Sequence, residues 1–186
     1  VREAYTQTML SAIALAKASG IRLINMHIPR GNIVTLPSGP RYLYEEYQQA
    51  FTQAVDSFGE RCQQAAGEGD VRIAIENTTY WAPHELRAIE RLLQSPVFSL
   101  CLDTGHDHAE NNRDLPFILH HRDRLAHMHL HDGHGKTNHQ ALGIGEIPLS
   151  ERLTLAAQSG ATVVLEVKTI AALEQSVHWL RAEGWL

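Results

Sequence analysis

The chain has 186 residues, a formal net charge of −5, 44% apolar residues and 20% charged residues. That is enough chain to bury one hydrophobic core unaided, so neither a disulfide framework nor a structural metal is needed for folding, and any metal is functional. The acidic balance argues against a broad basic face that would grip nucleic acid.

In chain order, residues 3–18 place Tyr5, Met9, Ala12, Ile13 and Ala16 on one helical face, and Ser19-Gly20 supplies a stop. IRLINMHI (21–28) reads as a strand and is followed by a Gly- and Pro-rich loop over 29–40. Tyr44, Tyr47, Phe51, Val55 and Phe58 then mark one long helix to about Ala66. VRIAIEN (71–77) is a strand, Pro83 opens a helix carrying Leu86, Ile89, Leu92 and Leu93, and VFSLCLD (97–103) is the next strand. A His-rich connection with a short helix near 114–121 leads to the strand LAHMHLHD (125–132). A Gly-containing loop, a helix near 149–158, the strand ATVVLEV (161–167) and a helix over 170–183 complete the chain. No linker interrupts this alternation, so residues 1–186 read as one α/β domain with a parallel sheet, either doubly wound or a barrel.

Cys62 and Cys101 lack metal-type spacing and read as reduced thiols, in keeping with a cytoplasmic protein. No apolar run approaches the roughly 20 residues of a membrane span. The first residue is Val1, which leaves open an upstream start and any targeting segment there.

Histidine is the outlier: eleven of the twelve lie between His27 and His139. A polar residue closes each apolar run, namely His27, Glu76, Asp103, His129 and Glu166. In a parallel α/β fold all strand C-termini lie on one side, so these side chains would share one mouth. Three carboxylates brought together there cannot all stay ionised without a compensating cation. Glu76, Asp103, His129 and Glu166 supply three oxygens and one nitrogen, a set that suits one divalent ion, Mn, Mg or Co, and tolerates Zn.

The motifs IAIEN, LCLDTGH, MHLHD, HQALGIGEI and VVLEV, in this order, resemble the xylose-isomerase-like barrels that include sugar isomerases and epimerases and the endonuclease IV family. The resemblance implies a TIM-type (β/α) barrel in which Glu76, Asp103, His129 and Glu166 bind the metal and Glu76 and Glu166 exchange substrate protons. A sugar, sugar phosphate or polyol substrate would react through a cis-enediolate stabilised by the metal, as an isomerisation or an epimerisation. The resemblance further implies that His106 touches substrate oxygens or a second metal. His27 and His139 are additional candidates for the pocket, and Trp81 is a candidate wall for a sugar face. A core role for His27 and helix packing for Trp81 are the alternatives. Period two aligns His127, His129 and His131, with His127 read as a deeper layer, His131 as near the rim and Asp132 as an acceptor orienting its neighbours. His84, His120, His121 and His178 read as solvated helix residues, and His108 and His134 stay unassigned.

Two departures from the family pattern matter. Thr137 stands where the endonuclease branch places an Asp, which weakens the runner-up reading of a metal-dependent phosphodiester hydrolase acting on abasic DNA. Five clear strands fall short of eight, so about two βα units are missing at the front, with an open edge expected beside the His27 strand. Either the chain is a piece of a longer protein or a partner, such as a second copy in a homo-oligomer, covers the gap. A non-catalytic metal-binding relative is a further alternative. The expected partner is a small sugar, with neither nucleic acid nor membrane.

Overall fold

The structure is a computed structural model that describes residues 2–67 and 71–186. Its elements are α1 (Arg2–Ala18), β1 (Leu23–His27), β2 (Ile33–Leu36), β3 (Gly39–Tyr42), α2 (Leu43–Glu46), α3 (Gln48–Ala66), β4 (Arg72–Glu76), α4 (Pro83–Leu92) and β5 (Phe98–Asp103). There follow α5 (Thr104–Ala109), α6 (Leu115–His120), a 3-10 turn (Arg122–Arg124), β6 (Leu125–Leu130), β7 (Asp132–His134), β8 (Thr137–Gln140), α7 (Leu149–Ser159), β9 (Thr162–Leu165) and α8 (Ile170–Ala182). Five strands form a parallel sheet of order β1-β4-β5-β6-β9, the pattern of an incomplete barrel, with β1 at one edge as expected and β9 at the other. No helix among the described residues is long and apolar enough to cross a membrane.

The chain divides into two compact units, residues 1–75 with 81–99 and residues 76–80 with 100–186. In the first, Ile13 of α1, Ile73 and Ile75 of β4, Ile89 of α4 and Phe98 of β5 are fully buried. Pro83 starts α4, and the Glu85 carboxylate accepts the Ala82 N–H at 2.7 Å and Arg30 Nε–H at 3.1 Å, which ties the helix start to the segment after β1.

Three sequence expectations change in this unit. The Gly- and Pro-rich stretch holds a hairpin, β2 against β3, closed by Pro37 and Ser38 between the paired Leu36 and Gly39. All four residues of β2 are exposed, so no alternation marks them as a strand. The single helix expected to Ala66 breaks at Tyr47 (φ −111, ψ 46) into α2 and α3. His84 is not solvated: it is 1% exposed, Nε2–H donates to the Arg30 carbonyl at 3.0 Å, and its ring lies among Tyr42, Tyr44 and Phe51. Pro83 hid this, because a helix's first turn reads as surface when its partner is a distant loop.

The second unit carries the ordered register β5–β6–β9, with Asp103 beside His129 and His129 beside Val164. Leu100, Leu102, Ile118, Met128, Leu130 and Leu142 are its largest fully buried apolar side chains. The loop expected after β6 is another hairpin, β7 with β8, turning at Gly135 (φ +55), where the left-handed backbone favours glycine. β9 ends at Leu165, one residue short of Glu166. His120 and His178 are exposed as expected, whereas His121 is partly buried.

Candidate metal centre

Glu76, Asp103, His129 and Glu166 all belong to the second unit. Glu76 ends β4, Asp103 ends β5, His129 lies in β6 and Glu166 follows β9. Parallel strands bring their ends together, and donor atoms of these four residues lie within 4.8 Å of one another. His129 Nδ1 is the focus: Glu166 Oε2 is 2.9 Å away, Glu76 Oε1 3.1 Å and Asp103 Oδ2 3.8 Å. One ring nitrogen carries at most one proton, and here it is aligned with Glu76. Asp103 Oδ2 and Glu166 Oε2 are therefore left buried with no hydrogen-bond donor.

The titration of these groups follows from that crowding. Burial alone would raise the Asp103 carboxyl, but the His129 imidazolium 3.8 Å away, the hydrogen bond from His131 and the His106 N–H hold it well below the usual carboxylate range. Burial would lower His129, yet the close approach of Asp103, Cys101 and Glu76 outweighs it and pushes the imidazole up to about 12. Burial raises Glu166, helped by the neighbouring Asp103 and Glu76 charges. An acidic cluster that must borrow one imidazolium for its countercharge fits a divalent ion, and two carboxylate oxygens without donors offer it lone pairs.

Asp103 is fixed by a set of contacts that sequence reading missed. Asn77, fully buried, accepts the Asp103 N–H at 2.8 Å and donates to the Asp103 carbonyl at 3.1 Å. Asp103 Oδ1 caps α5 by accepting the His106 N–H at 2.7 Å and also accepts from His131 Nε2 at 2.9 Å. His131 is not at the rim: it is fully buried. The turn into β7 carries it inward, and the Thr104 hydroxyl bonds its backbone N–H at 3.2 Å and its carbonyl at 2.9 Å. The only advance signal for Asn77 was its place directly after Glu76.

His106 and His139 lie in the same neighbourhood. Their rings are 5.4 Å apart, His139 stacks on His131 at 4.2 Å, and His139 Nε2 is 3.7 Å from Glu166 Oε1. Burial lowers the His139 pKa. His127, one layer from His129 on β6, bonds Thr162 Oγ1 at 2.7 Å and is lowered by burial and by His129. His27 and Trp81 belong to the first unit. His27 is exposed at the end of β1, where its carbonyl accepts the Tyr5 hydroxyl at 2.6 Å, and Trp81 is buried just before α4.

The loop from Ala141 to Ile147 has a structural reason for its glycines. Asp132 Oδ2 accepts the N–H groups of Gly143 and Gly145 at 3.0 and 2.9 Å, and Oδ1 accepts those of Gly133 and Ile147 at 2.8 and 3.2 Å. A Cβ at Gly145 would strike the Asp132 carboxylate and the Gly133 carbonyl. Asp132 thus orients its neighbours, as its position suggested. Glu146 holds the two unassigned histidines, His108 at 3.0 Å and His134 at 3.2 Å.

The sequence matches the family model described as the xylose isomerase-like TIM barrel over residues 1–183. The chain belongs to this family. Solved structures similar to this xylose isomerase-like chain include a D-tagatose 3-epimerase-like protein, at 19% identity and a TM-score of 0.75, with 97% of this chain and 68% of that one covered. Another is the IOLI protein with a binding zinc atom, at 14% identity and a TM-score of 0.65, with 92% and 66% covered. A third is an L-ribulose 3-epimerase, at 17% identity and a TM-score of 0.60, with 93% and 58% covered. The chain thus spans about two thirds or less of the length of these neighbours, which are alike in fold. No curated protein matches the sequence.

Proposed function

We propose that this chain carries the centre of a divalent-metal-dependent isomerase or epimerase of a sugar or related polyol. The observation that supports it most is the convergence of three carboxylate oxygens on His129 Nδ1, two of them buried without a donor. Glu76, Asp103, His129 and Glu166 would hold the ion; a neighbour named for bound zinc supports a divalent metal, and neighbours named for 3-epimerases support the reaction class. When bound, a divalent ion supplies Lewis acidity that makes the C–H beside a carbonyl acidic.

The chain's own residues would do the rest. Glu166, whose side chain is 42% exposed and whose pKa is raised, is accessible and suited to take up a proton. Glu76, only 6% exposed in its side chain, is the second proton carrier. Return of the proton to the same carbon from the opposite face inverts it, and return to the neighbouring carbon interconverts aldose and ketose. His106 and His139 border the carboxylates and would contact substrate oxygens. His27 and Trp81 stay candidates on their sequence positions alone.

The test is a panel of ketoses and ketose phosphates incubated with the protein and manganese in deuterated water, read by NMR. Deuterium should enter beside the carbonyl, and its position and the product's configuration separate epimerisation from isomerisation. Glu76→Gln and Glu166→Gln should each abolish exchange while keeping much of the metal affinity, since an amide ligates but does not accept the proton. The runner-up, a phosphodiester hydrolase, draws on a second grouping of Asp103, His131, His139 and Glu166 within 4.8 Å. It is ranked lower because both His131 nitrogens are already engaged, Nδ1 by the His139 N–H and Nε2 by Asp103. Nicking of an abasic DNA duplex without any sugar exchange would reverse the ranking.

A further inference from the structure

The oxygen-rich quartet does not exhaust the donors at this centre. Glu76, Cys101 and His129 also present ligand atoms within 4.8 Å of one another. Cys101 and Asp103 lie two residues apart on β5 and so point to the same side of the sheet. Across the β5–β6 register Asp103 pairs with His129 and Cys101 with His127, which places the thiol one layer below the carboxylate. Cys101 is fully buried, as is Asp103, whose donorless Oδ2 belongs to the same centre. Glu76 and His129 belong to both groupings.

We propose that Cys101 gives this centre a second, inner seat, formed with Glu76 and His129, which takes thiophilic divalent ions such as zinc, cobalt or cadmium. It rests on the functional reading above, which concerns the outer quartet. The two seats share two ligands and exclude each other, so ion chemistry decides between them. Manganese and magnesium prefer carboxylate oxygen and take the outer seat, whereas thiolate attracts zinc and cadmium strongly enough to compete with two carboxylates. As the sulfur–metal bond forms, the thiol proton passes to solvent and no oxidant or reductant is involved. Cys101 is then the residue that determines metal selectivity, and an ion in the inner seat no longer engages Asp103 and Glu166.

The experiment titrates metal-free protein with cobalt and with cadmium and follows the ultraviolet sulfur-to-metal charge-transfer band. Manganese binding is followed in parallel by electron paramagnetic resonance. The chain has two cysteines, so Cys62→Ala leaves Cys101 as the sole sulfur ligand available from a thiol. Wild type and Cys62→Ala should both show the band at one ion per chain, and Cys101→Ser should lose it. The ratio of cadmium to manganese affinity should fall at least about tenfold in Cys101→Ser. If Cys101→Ser fails to fold, the band in Cys62→Ala decides by itself. Stoichiometric cobalt and manganese binding with no sulfur band overturns the inner seat and leaves the outer quartet standing. Failure of every ion to bind overturns both.

Discussion

His131 donates its Nε2 proton to Asp103 Oδ1 at 2.9 Å, and its tautomer is set by the other side of the ring, where Nδ1 accepts the His139 backbone N–H at 2.8 Å. A backbone amide only donates, so Nδ1 must be unprotonated and the proton must reside on Nε2. The β7–β8 hairpin, which carries His139, therefore controls how one oxygen of a buried carboxylate is satisfied. The other oxygen has no donor and, under the proposed function, is left for the ion.

His131→Ala removes that donor and leaves Asp103 Oδ1 with only the His106 N–H. Loss of a hydrogen bond to a buried charge should cost about 1.5–3 kcal/mol, and metal affinity should fall roughly 10–100-fold. Urea unfolding of the metal-free protein and calorimetric titration with manganese measure the two effects separately. An unchanged metal affinity would show that His131 does not orient Asp103.

Gly105 tests the same link from the backbone side. A Cβ there would run into the His131 ring, and the Asn138 side chain is only 3.1 Å away. Gly105→Ala should therefore destabilise the fold by about 1–3 kcal/mol through overpacking. Metal affinity should fall along with stability, because the displaced ring is the Asp103 donor. A double variant with His131→Ala should lose less than the sum of the singles, which denaturant titration can establish.

Metal binding should release protons. His129 must be neutral to ligate, yet it is pushed up to about 12, so it is protonated at neutral pH before the ion arrives. Asp103 is held below the usual carboxylate range and is already ionised, so it releases none. Affinity should accordingly fall by about tenfold per pH unit on acidification through neutrality, with about one proton released per ion from His129. Calorimetry in buffers of different ionisation heat counts that proton. In the metal-free protein, the His129 contribution to stability is complete below its unfolded value of about 6.5 and is lost as pH rises toward its folded value.

Asp132 makes a prediction about folding alone. Its carboxylate accepts four backbone N–H groups, and it is 1% exposed. Asp132→Ala strands those donors and should cost on the order of 3 kcal/mol or more in urea unfolding. The Asn variant keeps one acceptor oxygen and should lose less.

The alternation of helix and strand, the polar strand ends and the quartet Glu76, Asp103, His129 and Glu166 were legible in the sequence by itself. Their reasons are local and periodic: a buried parallel strand is a short apolar run, and the residue at its C-terminal end faces the common mouth. The two hairpins were not legible, because β2 is exposed throughout and β7 spans only three residues, so neither carries a period to read. Only the tertiary structure decided which His131 nitrogen bears the proton, that Asn77 clamps Asp103, that His84 is buried against Arg30, and that Cys101 shares a neighbourhood with Glu76 and His129. Those facts depend on contacts between residues 8 to 54 positions apart in different parts of the chain, and no spacing within a single element encodes them.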